Sequence, residues 1–342
     1  NLYKCFLPQA WMIGTEQGVS GFLHPEGVYD DPCAGLLREE IYPRLQYHFQ
    51  FQNELKLFSD IGNREKFSIN IASNFPTDSF MHISNLFHPN TVNASFAHNG
   101  HGLCEGIKNG EDHWNLKGHR ARIVAVDEDS LMLFAILYDK AGTPALQARL
   151  PVVHSRQVVE VLRKFATQPK RLGDLKGEYF STEMWHETNA QKDGTIKRST
   201  RFAATPENWI LSGPHFYVGK PFHQTPRAVC ETHRAYDNLD LTELPDNYLS
   251  RTNYVRACDN NIYSKRLPYS KWDKREVHTD YCRMVHRSML SQSGERTLIT
   301  AIVPKYVGNI NTAMTTSFKN TMTLVNCVGT LQSLPVDFFV KS

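Results

Sequence analysis

FSINIA, residues 67–72, alternates Phe67, Ile69 and Ile71 with Ser68 and Asn70, the two-residue period of a β-strand. Upstream, QGVSGFLH over 17–24 reads as a buried strand, and LLREEI over 36–41 carries helical spacing until Pro43 interrupts it. Residues 50–58 then place Phe51, Leu55 and Phe58 four and three apart. Strand, helix and strand on short connections form an α/β arrangement.

Downstream of FSINIA the pattern fades. Residues 73–110 read as loops, NFPTD and HNGHGLC among them, with one short helix expected over 79–87. A strand is expected over 121–126 and a helix over 128–138. A second helix over 158–165 puts Val158, Val161, Leu162 and Phe165 on one stripe. After Leu172 the chain turns mostly to β. Residues 178–185 and 196–202 read as a hairpin about Asp193-Gly194, a strong turn cue. Further strands are expected over 209–218, 252–257, 281–287 and 297–303, and a closing helix over 321–331.

At 342 residues the chain has room for two or three domains. With 41% hydrophobic and 21% charged residues it belongs with globular rather than disordered chains. No apolar run approaches the ~20 residues of a membrane helix, and no secretory signal opens the chain, so no membrane partner is expected. The opening on Asn1, without Met, reads as a piece of a larger polypeptide. Seven dispersed cysteines without a CxxC pair indicate neither a disulfide framework nor a structural zinc site, and fit a reducing cytoplasm.

His98, His101, Cys104, His113 and His119 carry donors suited to zinc or iron. Their spacing matches no standard zinc pattern, and they stand among Asn and Gly, as in a polar loop. A metal-dependent hydrolase or nuclease is the alternative they leave open. His186-Glu187 lacks the second histidine of HExxH, because Ala190 stands there. The glycines of 100–106 miss the GxGxxG spacing, and DDPCAG over 30–35 lacks most of a cofactor-loop context. The expected metal set is therefore none.

Net charge is only +3, so the distribution of cations matters more than the total. Arg198, Arg201, Lys220, Arg227, Arg251, Arg256, Arg283, Arg287 and Arg296 fall on expected strands or at their ends, several beside aromatics. Arginine's planar fork suits phosphate and guanine. WILSGPHFYVGKPFHQTPR, 209–227, is punctuated by Gly213, Pro214, Gly219, Pro221 and Pro226. Glycine permits close backbone approach or a bulge, and proline ends strand pairing. Such a frame would present His215, Lys220, His223 and Arg227 to DNA. The bland alternative is a solvated sheet face laced with ion pairs.

GFLHP at 21–25, LREEIY at 37–42, NELKLF at 53–58 and FSINI at 67–71 form an ordered set. It resembles the tail of the catalytic domain of large adenine-specific DNA methyltransferases of bacterial restriction-modification and phage-defence systems. MWHET at 184–188, KDGTI at 192–196, WILSGPHF at 209–216, YLSRTNY at 248–254, ERTLITAIVP at 295–304 and LQSLPVDFF at 331–339 are similar to the target-recognition region of those proteins. The resemblance implies an α/β plus α+β chain. Residues 1–75 would be a remnant of a Rossmann-like methyltransferase domain, and residues 76–342 a mixed, β-rich target-recognition domain. It implies double-stranded DNA as partner, with other subunits of a restriction or defence system possible, and S-adenosylmethionine as cofactor of the full-length parent. No Pro-Pro pair occurs, so the catalytic tetrapeptide is missing, and so is a glycine-rich cofactor loop. The chain by itself is expected to bind no cofactor and to methylate nothing. A docking scaffold of a defence complex is the third alternative.

Overall fold

The computed structural model describes residues 2–216, 220–232, 234–290 and 296–341. They form two compact units that divide between Pro169 and Lys170. The first is a mixed α/β unit with a five-stranded mixed sheet, and the second is a separate, largely antiparallel β-rich unit.

In the first unit β1 (Val19–Pro25), β2 (Leu45–Gln52), β3 (Lys66–Ser73), β4 (Ser79–Leu86) and β5 (Val124–Asp127) lie in the order β1-β3-β2-β4-β5. β3 is antiparallel to both β1 and β2, β2 and β4 are parallel, and β5 returns antiparallel. β1 and β2 thus point the same way, joined by a crossover through helices Gly27–Asp30 and Gly35–Ile41. The expected boundary near residue 75 lies inside this sheet, because β4 and β5 extend it.

FSINIA is the heart of β3, and its alternation sorts two faces. On one, Phe51, Phe67, Ile83, Leu86 and Ile123 form an apolar cluster, with the Phe51 and Phe67 rings stacked at 5.3 Å. On the other, Asn70 stands beside His48 and Ser68 beside Gln50, while His48 also faces His82. Alternation alone would put that polar face in water. Instead it is buried, and it is bonded internally, as buried polar groups must be. Tyr29 donates to Asn70 Oδ1 at 2.7 Å, and the Asn70 amide donates to His24 Nε2 at 3.0 Å. His48 joins Glu26 Oε1 at 3.1 Å through Nε2 and His82 Nδ1 at 2.8 Å through Nδ1. Burial alone would raise the Glu26 carboxyl, but His48, with a hydrogen bond from Ser68, holds it below its ordinary value.

Two expectations fail here. β1 is an edge strand with most residues exposed or half-buried, not a buried one. Residues 79–86 are a strand rather than a helix, because pairing to β2 and β5 outweighs local preference. A left-handed Asn85, at φ 53°, lies within the register irregularity of the pairing to β2. The helix Glu128–Tyr138 has the expected bounds, and Arg156–Ala166 covers the expected amphipathic helix.

In the second unit the strands are β6 (Tyr179–Thr182), β7 (Ile196–Phe202), β8 (Ile210–Leu211), β9 (Gln224–Pro226), β10 (Tyr236–Asn238), β11 (Arg251–Arg256), β12 (Arg283–Arg287), β13 (Thr300–Val303), β14 (Gly308–Asn309) and β15 (Ala313–Phe318). One four-stranded sheet runs β13-β12-β15-β6; β11-β7, β10-β9 and β14-β8 form small pairs, only the last parallel. Trp209, Leu211, Phe216, Val285, Ile299, Val303 and Val307 make one apolar core, and Trp185, Ile196, Ile210, Tyr254 and Tyr263 another. The expected 178–202 hairpin does not form. Helix Glu187–Lys192 separates β6 from β7, and Gly194, at φ 73°, follows its end. The strand expected over 209–218 shrinks to β8 before a 3-10 turn, and its last two residues lie outside the described residues.

Candidate nucleic-acid interface

β7 and β11 form a two-stranded antiparallel ribbon whose two strands live in different surroundings. β11 is the inner strand, with residues 252–255 buried and the Thr252 hydroxyl bonded to the Ile210 carbonyl at 2.6 Å. β7 is the outer one: after Ile196, Lys197, Arg198, Arg201 and Phe202 are all exposed. Register sets Lys197 opposite Val255, Arg198 opposite Tyr254 and Arg201 opposite Thr252.

The cations of this region are anchored mainly by uncharged acceptors. Arg198 donates to the Cys230 carbonyl at 2.7 Å. Arg251 lies 4.2 Å over the Phe202 ring and donates to the Pro226 carbonyl at 3.3 Å. Arg256 lies 4.3 Å over Tyr263 and reaches the Glu207 carbonyl at 2.6 Å and Asn260 Oδ1 at 3.1 Å. Such contacts orient a guanidinium without cancelling its charge. Arg227 differs, since its Nε meets Asp237 Oδ1 at 2.8 Å. Both partners are exposed, and pairs of that kind contribute about 0–1 kcal/mol. Lys220 is exposed, and its carbonyl accepts from His223 Nδ1 at 2.7 Å.

Four of the sequence candidates stand apart. His215 is fully buried, with Nε2 at 2.9 Å from the Arg251 carbonyl; burial lowers its pKa, and it packs the core rather than a ligand. Arg283 is fully buried too, spent on the Val307 carbonyl and the Met184 sulfur, and burial pushes its guanidinium down to about 10. Both are corrections: a side chain with no exposed surface offers nothing to DNA. Arg296 holds Asp337 at 3.3 Å and the Gln332 carbonyl at 2.8 Å, fastening the chain end. Arg287 closes β12 opposite Ala313, half-buried. Lys197, absent from the sequence candidates, joins the ribbon; the run Lys197-Arg198…Arg201 in a strand was its signal. Gly213 has the close approach its type allows, since a Cβ there would lie 2.9 Å from the Thr312 carbonyl oxygen. Gly219 lies outside the described residues.

Among the described residues no three His, Cys, Asp or Glu side chains converge as metal ligands, the loop of 98–119 included. No single helix among them is long and apolar enough to cross a membrane. No protein-family model matches the chain, and no curated protein matches its sequence.

Proposed function

We propose that this chain is the recognition end of an adenine-specific DNA methyltransferase of the bacterial restriction or phage-defence kind, and that it grips duplex DNA through the β7–β11 ribbon. The observation that carries the proposal is the ribbon itself: an outer strand with three exposed cations, backed by Arg251 and Arg256 on uncharged anchors. Two features of the first unit support the methyltransferase half. β1 and β2 run parallel and are joined by crossover helices, with antiparallel β3 inserted between them. β1 also leaves one edge unpaired, with Val19 and Leu23 exposed by 69% and 55%, a place where more of the same sheet would pair. In this proposal S-adenosylmethionine and the adenine chemistry belong to a part of the parent outside these 342 residues.

Fluorescence anisotropy of labelled duplexes at about 50 mM salt tests it. Lys197→Ala and Arg201→Ala are expected to weaken every sequence alike and lower the salt slope by about 1 each, if the contacts are to phosphates. A bidentate guanine contact would instead cost about 1–3 kcal/mol and relax preference at one base pair. Arg296→Ala is expected to leave affinity unchanged. No binding at that salt, or ribbon variants with unaltered affinity and slope, would overturn the proposal.

A further inference from the structure

The loop between helix Asn90–Ala97 and β5 lines a half-open polar cavity of about 110 Å³. That is room for three or four waters at about 30 Å³ each, or for one small polyatomic ion. His98, His101, Cys104, Lys117, His119 and Arg122 line it, with Glu105. Gly118 presses the loop onto the helix, where a Cβ would meet the Ala94 backbone at 2.3 Å.

Local hydrogen bonds decide what the cavity offers. His98 Nδ1 accepts the Gly100 N–H at 2.9 Å, and His119 Nδ1 accepts the Ala121 N–H at 3.0 Å. With each Nδ1 lone pair occupied, the ring proton stands on Nε2, so both histidines present donors. Their rings lie 4.2 Å apart. His119 Nε2 is buried without a partner, in a side chain 8% exposed. Arg122, 1% exposed, donates to the carbonyls of Ser84 and Asn85 at 2.9 Å each and of Lys117 at 3.3 Å, while its Nε has no partner. All three acceptors are neutral, so a buried guanidinium stands without a counter-charge, which is a costly arrangement. Glu105 does not supply one, because its carboxylate is tied to Lys117 Nζ at 2.8 Å.

We propose that this cavity is an oxyanion site that takes a phosphate group. Orphaned N–H donors call for an acceptor, and an uncompensated buried cation calls for an anion. A metal ion fits neither, since it would meet N–H groups and a positive charge. The site lies in the first unit, so it stands or falls independently of the DNA-binding ribbon in the second.

The full chain, labelled with ¹⁵N-histidine, would be titrated at constant ionic strength with inorganic phosphate, with a nucleoside 5′-monophosphate and with a dinucleotide phosphodiester. The expected result is saturable movement of the His98 and His119 imidazole signals with inorganic phosphate. Equal response to the monophosphate would assign the group to a phosphomonoester, and response to inorganic phosphate alone to the free ion. His119→Asn keeps an oxygen for the Ala121 N–H but removes the Nε2 donor, and is expected to bind about tenfold more weakly. His119→Gln, which returns an N–H near the Nε2 position, is expected to recover part of that loss. Should H119N fail to fold, Lys117→Gln, at a side chain 74% exposed, carries the test with an expected weakening of several-fold. No saturable shift up to about 10 mM phosphate, where even a millimolar site would fill, overturns the proposal. So does a folded variant that titrates like the parent chain, or a response to the phosphodiester alone.

Discussion

Lowering the pH from about 7 to about 5 is expected to remove about 2 kcal/mol of folding stability for each buried histidine held neutral in the native state. His278 in the second unit is fully buried between the hydroxyls of Ser317 and Thr315, at 2.8 and 2.9 Å. Burial, reinforced by the charge of Arg283, pushes it down to about 2. His154 in the first unit is brought down to about 4, again by burial and then by Arg122. An unfolded histidine, near 6.5, takes up a proton across this window while these two do not. The unfolded state then binds more protons, so stability falls as pH falls. Burial lowers His24, His82 and His215 as well, which steepens the loss in both units. Glu26 acts elsewhere. Its carboxyl lies below the ordinary value, so the stability it contributes is present above the unfolded pKa, near 4.5, and fades only as pH falls through the lower folded value. Denaturant titrations at the two pH values, on the parent chain and on His278→Asn, measure the effect. The variant should lose about 2 kcal/mol less between them in the second unit's transition. Equal losses in both proteins would show that His278 titrates normally.

Gly118→Ala is expected to destabilise the first unit by about 3 kcal/mol, at the upper end of what overpacking costs. The added carbon would sit 2.3 Å from both Ala94 C and Ser95 N, backbone atoms of a helix that cannot swing aside. The same contact seats two hydrogen bonds, Thr91 Oγ1 to the Leu116 carbonyl at 2.8 Å and the buried His119 N–H to Ser95 Oγ at 3.3 Å. Gly110 is the control in the same loop. A Cβ there meets nothing within 4 Å, and alanine should change stability by no more than about 0.5 kcal/mol. Chemical denaturation of the two variants decides the matter, and equal stabilities would mean that helix and loop can separate at no cost.

The parts of this fold legible in advance were those with local causes. Helix Glu128–Tyr138 starts where Asp127 accepts the Ser130 N–H at 2.9 Å, and helix Thr321–Leu331 where Asn320 accepts the Met322 N–H at 2.8 Å. A capping side chain two or three residues from its target is a local feature of the sequence. Residues 79–86 carry no such signal; they became a strand because β2 and β5 flank them. Asp193-Gly194 is a true turn, but it ends a helix instead of joining two strands.

For the candidate site the division is sharper. Arg198, Arg201 and Arg283 all lie on strands, yet two face outward from β7 and the third is sealed in the core on β12. His215 stands in a stretch dense with turn residues and is nonetheless buried. From the sequence alone came the strand period of FSINIA, the helices over 128–138 and 321–331, and the cations Arg198 and Arg201. Tertiary structure alone decided that the polar face of FSINIA is buried beside Tyr29 and His48, and that Arg122 lies charged and unneutralised beside a cavity. The physical reason is the same in each case. Period and capping depend on neighbours in the chain, whereas burial depends on which distant strand, helix or loop comes to lie across a side chain.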